Sequence, residues 1–161
     1  MRKLKLITAI CCISLFVIAG TTMAQQMPNP YGPNINLSMA KKVAAAAADE
    51  AVKMKINVVI AIVDTGGYIV YLERFDVVQW GSLKVALHKA KCSVMYKRPT
   101  KAFEDLIGGG KTAYLTLDGI SAIEGGVPIL QDGKIIGAIG VSGGTAAQDG
   151  VVATAGAAMV K

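Results

Sequence analysis

The chain is poor in the residues that most often build metal sites and disulfides. Its 161 residues include a single histidine, His88, and three cysteines, of which Cys11 and Cys12 lie near the N-terminus. Cys92 is thus the one thiol in the rest of the chain, so no internal disulfide is expected there. A structural zinc site with four ligands would need carboxylates or a second subunit, because one His and one Cys cannot supply it.

An excess of positive charge is also largely absent once the N-terminus is set aside. Residues 1–24 join a basic start to the apolar run ITAICCISLFVIAG and to small residues before Ala24, which is typical of a cleaved secretory signal peptide. The run is shorter than the ~20 residues that a membrane span needs. Cleavage leaves 14 basic and 11 acidic residues, a net charge of +3. We therefore expect a periplasmic or secreted protein that neither binds nucleic acid nor stays in a membrane.

Internal repeats and linkers are absent too, so the remainder predicts a single domain over 38–161 after a flexible, proline-bearing lead-in over 25–37. The alanine-rich segment that follows predicts a helix starting at Ser38. A second helix is predicted over 81–98, ended by Pro99. A short helix follows from Thr100, and the TAAQ segment predicts a capping box at Thr145 that opens the last helix.

Two β-hairpins are predicted between these helices. The runs 57–64 and 68–75 flank the glycine-rich turn DTGGY, and Asp132-Gly133 predicts the turn of a second hairpin within GGVPILQDGKIIGAIGVSGG. The segment TAYLTLD is a candidate for one more short strand. The first two strands are apolar at nearly every residue, which indicates a sheet covered on both faces by helices or by a partner subunit. The order of elements predicts an α/β (α+β) fold with an antiparallel sheet sandwiched by helices.

The helix over 81–98 carries two stripes when its residues are placed at about 100° each. The stripe predicted to face the core comprises Leu83, Ala86, Leu87, Ala90 and Val94. The opposite face, where a solvated surface would be expected, carries Val85, His88, Cys92, Met95 and Tyr96. Lysines border this second stripe, with Lys84 and Lys91 on one side and Lys89 on the other.

The second stripe has three interpretations. It can pack against another helix or subunit, with His88 an ordinary interface residue. It can bind heme, because imidazole, thiolate, thioether and phenolate groups all ligate heme iron. On that hypothesis His88 is the first candidate ligand, Cys92 the second and Tyr96 the third, with Met95 nearby and Lys91 able to pair with a propionate. A Cys92 nucleophile activated by His88 is the third interpretation, although no third orienting group is visible.

An enzyme acting on a small molecule is the alternative function that the sequence leaves open. Such an enzyme would be expected to have acids or bases in a pocket. Asp64, Glu73 and Glu124 are the carboxylates nearest the glycine-rich turns. Gly143 and Gly144 precede a helix and could offer backbone amides to an anion, but we favour a purely structural turn there.

Five short segments occur in a characteristic order along the chain. They are IAIVDTGG (60–67), the A-x-x-K-A helix (86–90), RPT (98–100), GGVPI (125–129) and GAIGVSGGTAAQD (137–149). Together they resemble the GlcG/HbpS-type heme-binding proteins, a family that also includes the C-terminal domain of some PduO corrinoid adenosyltransferases. The resemblance implies a profilin-like α-β-α architecture, a homo-oligomer such as an octamer, and heme binding in at least some members. It implies no adenosyltransferase chemistry, which belongs to a different domain.

One residue departs from the family's pattern. The family commonly has threonine at the position of Cys92, in a helix linked with the heme site. A thiolate there could strengthen an iron bond, or the change could mark a protein that binds something else. We expect a secreted or periplasmic heme-binding oligomer that captures, stores or senses heme.

Overall fold

The apolar runs form one antiparallel sheet in the computed structural model, which describes residues 28–160. Its strands are β1 (Val59–Asp64), β2 (Ile69–Arg74), β3 (Gly126–Gln131) and β4 (Lys134–Ser142). They lie in the order β2-β1-β4-β3, and each neighbouring pair is antiparallel. Both predicted hairpins are confirmed. The predicted signal peptide lies outside the described residues.

Helices cover both faces of this sheet. They are α1 (Leu37–Lys53), α2 (Gly81–Tyr96), α3 (Lys101–Gly108) and α4 (Ala146–Ala157). α1 and α4 pack together on one face, and α2 lies on the other against β1, β4 and β3. The predicted sandwich of helices around an antiparallel sheet is therefore confirmed.

Local signals set most element ends, although some elements differ from the prediction, and α2 ends at Tyr96 rather than at residue 98. The capping box of Thr145 and Gln148 is present at the start of α4. However, α1 is capped by Asn36, whose side chain accepts a hydrogen bond from the Met39 amide at 2.9 Å, and not by Ser38. TAYLTLD does not form a strand; residues Thr112–Thr116 form a 3-10 helix.

The central strands are apolar throughout because each face meets a different helical layer. Val58, Ile60 and Ile62 belong to the core cluster shared with α1 and α4. The alternate residues Val59 and Ala61 pack against α2. The sequence alone did not decide whether helices or a partner subunit cover the sheet. In the structure, the chain's own helices cover both faces.

Part of the lead-in predicted over 25–37 forms backbone hydrogen bonds to the sheet. The Gly32 amide donates to the Ile135 carbonyl at 2.8 Å, and the Ile135 amide donates to the Pro30 carbonyl at 2.8 Å. This pairing lies beyond the last β1–β4 pair, which joins Asp64 to Gly137. The segment therefore occupies the part of β4 that β1 is too short to reach.

A buried ion pair connects the two helical layers. Lys89 of α2 is 1% exposed, and its Nζ lies 2.8 Å from Asp149 Oδ2 of α4 and 3.0 Å from the Val141 carbonyl oxygen. Asp149 Oδ1 accepts a hydrogen bond from the Gly144 amide at 2.9 Å. Burial raises the pKa of the Asp149 carboxyl, and the hydrogen bonds from Lys89 and the backbone amides act in the opposite direction.

Glycines make room for this ion pair and for the helix above it. A Cβ atom at Gly125 would lie 2.8 Å from Lys89 Nζ, and Gly125 has a φ of +126°, which side chains rarely adopt. A Cβ atom at Gly140 of β4 would lie 2.6 Å from the Ala90 amide nitrogen of α2. The ion pair therefore depends on the absence of a side chain at Gly125, and the close approach of α2 to β4 depends on its absence at Gly140.

We expect Lys89→Met to lower the free energy of unfolding by about 3–5 kcal/mol, because Asp149 would remain buried without its partner charge. The double variant Lys89→Met/Asp149→Asn should lose much less than the sum of the two single variants, since it leaves no unpaired charge. Urea unfolding followed by circular dichroism measures these differences. Lys84→Met, an exposed lysine of the same helix, is the control and should change stability by less than about 0.5 kcal/mol. A Lys89→Met protein as stable as the control would show that the pair is dispensable.

Candidate functional site

An open cavity of about 510 Å³ lies beside the exposed face of α2. This size is within the range usual for ligand pockets, roughly 300–1,000 Å³. Four parts of the chain form it: the segment before α1, the β1–β2 turn, the second half of α2 and the loop before β3. The lining residues are Tyr31, Thr65, Gly66, Gly67, Tyr68, His88, Lys91, Val94, Met95 and Gly119.

The β1–β2 turn is held in shape by Asp64. Its Oδ1 accepts hydrogen bonds from the amides of Gly66 and Tyr68, each at 2.9 Å. Gly67 has a φ of +80°, as the tight turn requires. Because these amides are already bonded to Asp64, the turn offers the cavity a rigid wall and the Tyr68 ring.

Tyr31 forms the wall contributed by the segment before α1. Its hydroxyl donates a hydrogen bond to the Val94 carbonyl at 2.8 Å. Lys97 Nζ lies 4.2 Å from the centre of the Tyr31 ring, within the range of a cation–π contact. The pairing of this segment with β4 and these contacts to α2 fix the ring beside the cavity.

The structure brings three of the predicted site residues together and separates the others from them. His88, Lys91 and Met95 are exposed and line the cavity. Cys92 and Tyr96 do not line it. The buried face of α2 includes Lys89 and Ser93 and is rotated by roughly 60° from the predicted core stripe.

The prediction that His88 and Cys92 share an accessible face is therefore wrong. Cys92 is 0% exposed, and its Sγ accepts a hydrogen bond from the Ser121 amide at 3.2 Å. Burial raises the pKa of the Cys92 thiol, although the hydrogen bond from Ser121 lowers it. Because the thiolate is the nucleophile and the metal ligand, this environment favours neither role.

Tyr96 is engaged elsewhere. Its hydroxyl donates to the Asp118 carbonyl at 2.5 Å, and its ring packs edge-on against Phe103 with a centroid distance of 5.3 Å. The expectation that Lys89 borders an accessible stripe is likewise wrong, because its ammonium group is buried in the ion pair with Asp149.

The three carboxylates of the enzyme hypothesis do not converge on the cavity. Asp64 caps the turn beside it, and Glu73 accepts a hydrogen bond from the Tyr71 hydroxyl at 3.0 Å on the edge strand. Glu124 lies beside the start of α4, where a Cβ at Gly150 would clash with its carboxylate. The Gly144 amide is taken by Asp149, in agreement with a structural turn.

Sequence reasoning missed the residues that complete the cavity. Tyr31 and Tyr68 come from segments interpreted as a lead-in and a hairpin turn, and Gly119 comes from the loop after the 3-10 helix. The DTGGY turn was itself recognised, but nothing local shows that it packs beside α2. Its position follows from the β1–β2 pairing, which brings Tyr68 next to the helix.

Two features that residues 28–160 lack bear on the kind of site. Over this range there is no group of three or more His, Cys, Asp and Glu residues arranged to hold a metal ion. None of the helices in the same range is long and apolar enough to cross a membrane.

Position 88 is exposed and position 92 is buried, so a cysteine at each position should differ in its reactivity toward a thiol reagent. In a chain carrying Cys11→Ser and Cys12→Ser, Cys92 should react slowly with Ellman's reagent, because a buried thiol is reached only when the structure opens. A Cys92→Ser/His88→Cys variant of that chain should react at least about tenfold faster, since its thiol is on the exposed face. Equal rates would contradict the burial of Cys92, and denaturant should abolish the difference.

Comparison with known proteins agrees with the fold. Residues 35–158 match the family described as Haem degrading protein HbpS-like. Protein GlcG of Escherichia coli is 40% identical over 108 residues, which cover 67% of this chain and 81% of GlcG.

Solved structures give the same result. A double mutant of Streptomyces reticuli HbpS matches with a TM-score of 0.73 and 29% identity, over 81% of this chain and 89% of that one. The crystal structure of a PduOC–heme complex matches with a TM-score of 0.71 and 26% identity, over 80% and 96% of the two chains. With the family match covering nearly all of the described residues, this chain belongs to the HbpS-like family.

Proposed function

We propose that the protein binds heme in the cavity beside α2, with His88 as the ligand of the iron. The observation that carries the proposal is the exposed imidazole of His88 within a cavity that two tyrosines and Met95 also line. Histidine is a common axial ligand of heme iron, and its neutral form is sufficient for ligation. A structural neighbour, PduOC, has been solved as a complex with heme, which supports heme as the molecule bound.

The residues of the cavity fit the chemistry of heme. Val94, Met95 and the rings of Tyr31 and Tyr68 provide apolar surface for a flat macrocycle. Lys91 lies one turn beyond His88 and offers a cation for a propionate group. Heme bound here would supply an iron centre, while the chain supplies the axial ligand, the apolar walls and the cation.

Among the alternatives left open by the sequence, heme binding has the strongest support. The enzyme hypothesis has no carboxylate that lines the cavity, since Asp64 is bonded within the adjacent turn and Glu73 and Glu124 are not lining residues either. The family description names haem degradation. Binding is the step on which capture, storage, sensing or degradation would each depend.

Hemin titration of the full chain tests this proposal. The wild type should show a Soret band that saturates with hemin. His88→Ala should shift the maximum or weaken binding at least about tenfold, or about 1.4 kcal/mol, because it removes the iron ligand. Cys92→Ser is the matched control, one turn along the same helix, and should bind hemin as the wild type does because its thiol is buried.

The two variants also give the contradicting outcomes. If His88→Ala binds hemin with the wild-type spectrum and affinity, His88 is not the ligand. If Cys92→Ser changes the spectrum while His88→Ala does not, the iron is bound on the other side of α2. Circular dichroism of each variant confirms that the fold is retained.

We further propose that the mature protein begins near Gln25, is periplasmic or secreted, and forms a homo-oligomer. The sheet needs no partner for its cover, but exposed apolar side chains in the 3-10 helix and in the loop after it, among them Leu115 and Ile123, support assembly. Native mass spectrometry of protein recovered from intact cells should find a subunit that lacks residues 1–24, in an assembly of several copies. A subunit that retains Met1, or a monomer at micromolar concentration, would contradict this.

A further inference from the structure

A second cavity, of about 530 Å³, lies at the opposite end of the exposed face of α2. It is lined by Arg74 at the end of β2, by Trp80 of the following loop, and by Gly81, Leu83 and Lys84 of the first turn of α2. It shares no lining residue with the His88 cavity. Nothing in the proposed function uses it.

The cavity carries two cations without a facing acid. Arg74 is two residues after Leu72, so both side chains are on the same face of β2, and Leu72 and Leu83 pack against the same buried cluster. Tyr71 and Glu73 alternate to the other face and bond to each other there. Glu73 therefore does not neutralise Arg74.

Neither cation is used within the fold. Of the three ion pairs among residues 28–160, two join neighbours on one helix and the third is the buried pair of Lys89 and Asp149. Arg74 and Lys84 take part in none of them. Their charges are therefore available to a ligand.

The loop between β2 and α2 presents an indole ring at this cavity. Trp80 is 86% exposed, whereas Val78 is buried and anchors the loop to the core. Val77 between them has a φ of +62°, a conformation that is costly for a β-branched residue, on the order of 1–3 kcal/mol. The anchored loop thus holds an aromatic side chain in solvent, an arrangement that the core does not require.

The start of α2 adds positive potential to the cavity. The helix begins at Gly81 without a side-chain cap, and its first turn contains no acidic residue. The partial positive charge of a helix N-terminus favours anions nearby. Together with Arg74 and Lys84, it gives the lining of this cavity a single sign of charge.

We propose that this cavity binds a small organic acid with a flat apolar body and a carboxylate or sulfonate group. The apolar body would contact Trp80 and Leu83, and the anionic group would bind Arg74 and Lys84. A second copy of the chain is a poorer occupant, because symmetric docking of this patch would bring four cations together without an acid. The site is independent of heme binding.

The chain contains its own reporter for this site, because Trp80 is its only tryptophan. The probe is 8-anilinonaphthalene-1-sulfonate, which has an aromatic body and one sulfonate, titrated into the full chain. Binding should quench Trp80 emission by energy transfer and saturate at one probe per chain. N-phenyl-1-naphthylamine, which has the same body without the sulfonate, should bind at least about tenfold more weakly.

Variants separate this site from general apolar binding. Arg74→Gln and Lys84→Gln should each weaken probe binding at least about tenfold, whereas Lys111→Gln, an exposed lysine after α3, should not. His88→Ala should alter hemin binding and leave probe binding unchanged. Arg74→Gln should weaken probe binding and leave hemin binding unchanged. The two proposals can thus fail separately.

Three results would overturn the inference. Probe binding without energy transfer from Trp80 would place the probe elsewhere. Equal affinity for the charged and uncharged probes would show that the surface is merely apolar. A Trp80 emission spectrum that shifts with protein concentration in the absence of probe would show that another copy covers the patch.

Discussion

The buried pair of Lys89 and Asp149 is the interaction on which the arrangement of the helices depends. Two charges removed from water are stable only if each has its partner and its remaining hydrogen bonds. Here one charge comes from α2 and the other from α4, and the Val141 carbonyl and the Gly144 amide complete the set. With the pair in place, α2 cannot rotate about its axis without stranding a charge in the core.

That constraint decides which residues α2 shows to solvent. Lys91 and Met95 are about 200° and 240° around the helix from Lys89, so both must face outward once Lys89 faces the core. His88 lies between the buried and the outermost positions of the helix, and its side chain is exposed. Cys92 is buried and accepts a hydrogen bond from Ser121 in the loop before β3. The composition of the His88 cavity is therefore a consequence of a contact on the other side of the helix.

The features that were predictable from sequence depend on neighbouring residues. The Asp132-Gly133 turn and the capping box at Thr145 each specify their geometry within four residues. The rotation of α2 was not predictable in this way, because hydrophobic periodicity treats a lysine as solvent-facing and the partner of Lys89 is 60 residues away. The place of Tyr31 at the cavity was not predictable for the same reason, because it depends on residues distant in sequence. Its segment pairs with β4 only because β4 has nine residues and β1 has six.

The exposed face of α2 carries two cavities with different chemistry, one toward each end of this rigid helix. Gly140 lets the helix sit close to β4, and the ion pair fixes its rotation, so side chains on the outer face start from defined positions. The N-terminal end combines the helix dipole with Arg74 and Lys84, and the C-terminal half holds an imidazole and a thioether beside aromatic walls. Because the dipole favours anions at the first end only, the two proposed ligands would be selected on different grounds: by charge at the N-terminal cavity, and by iron ligation with apolar contact at the His88 cavity.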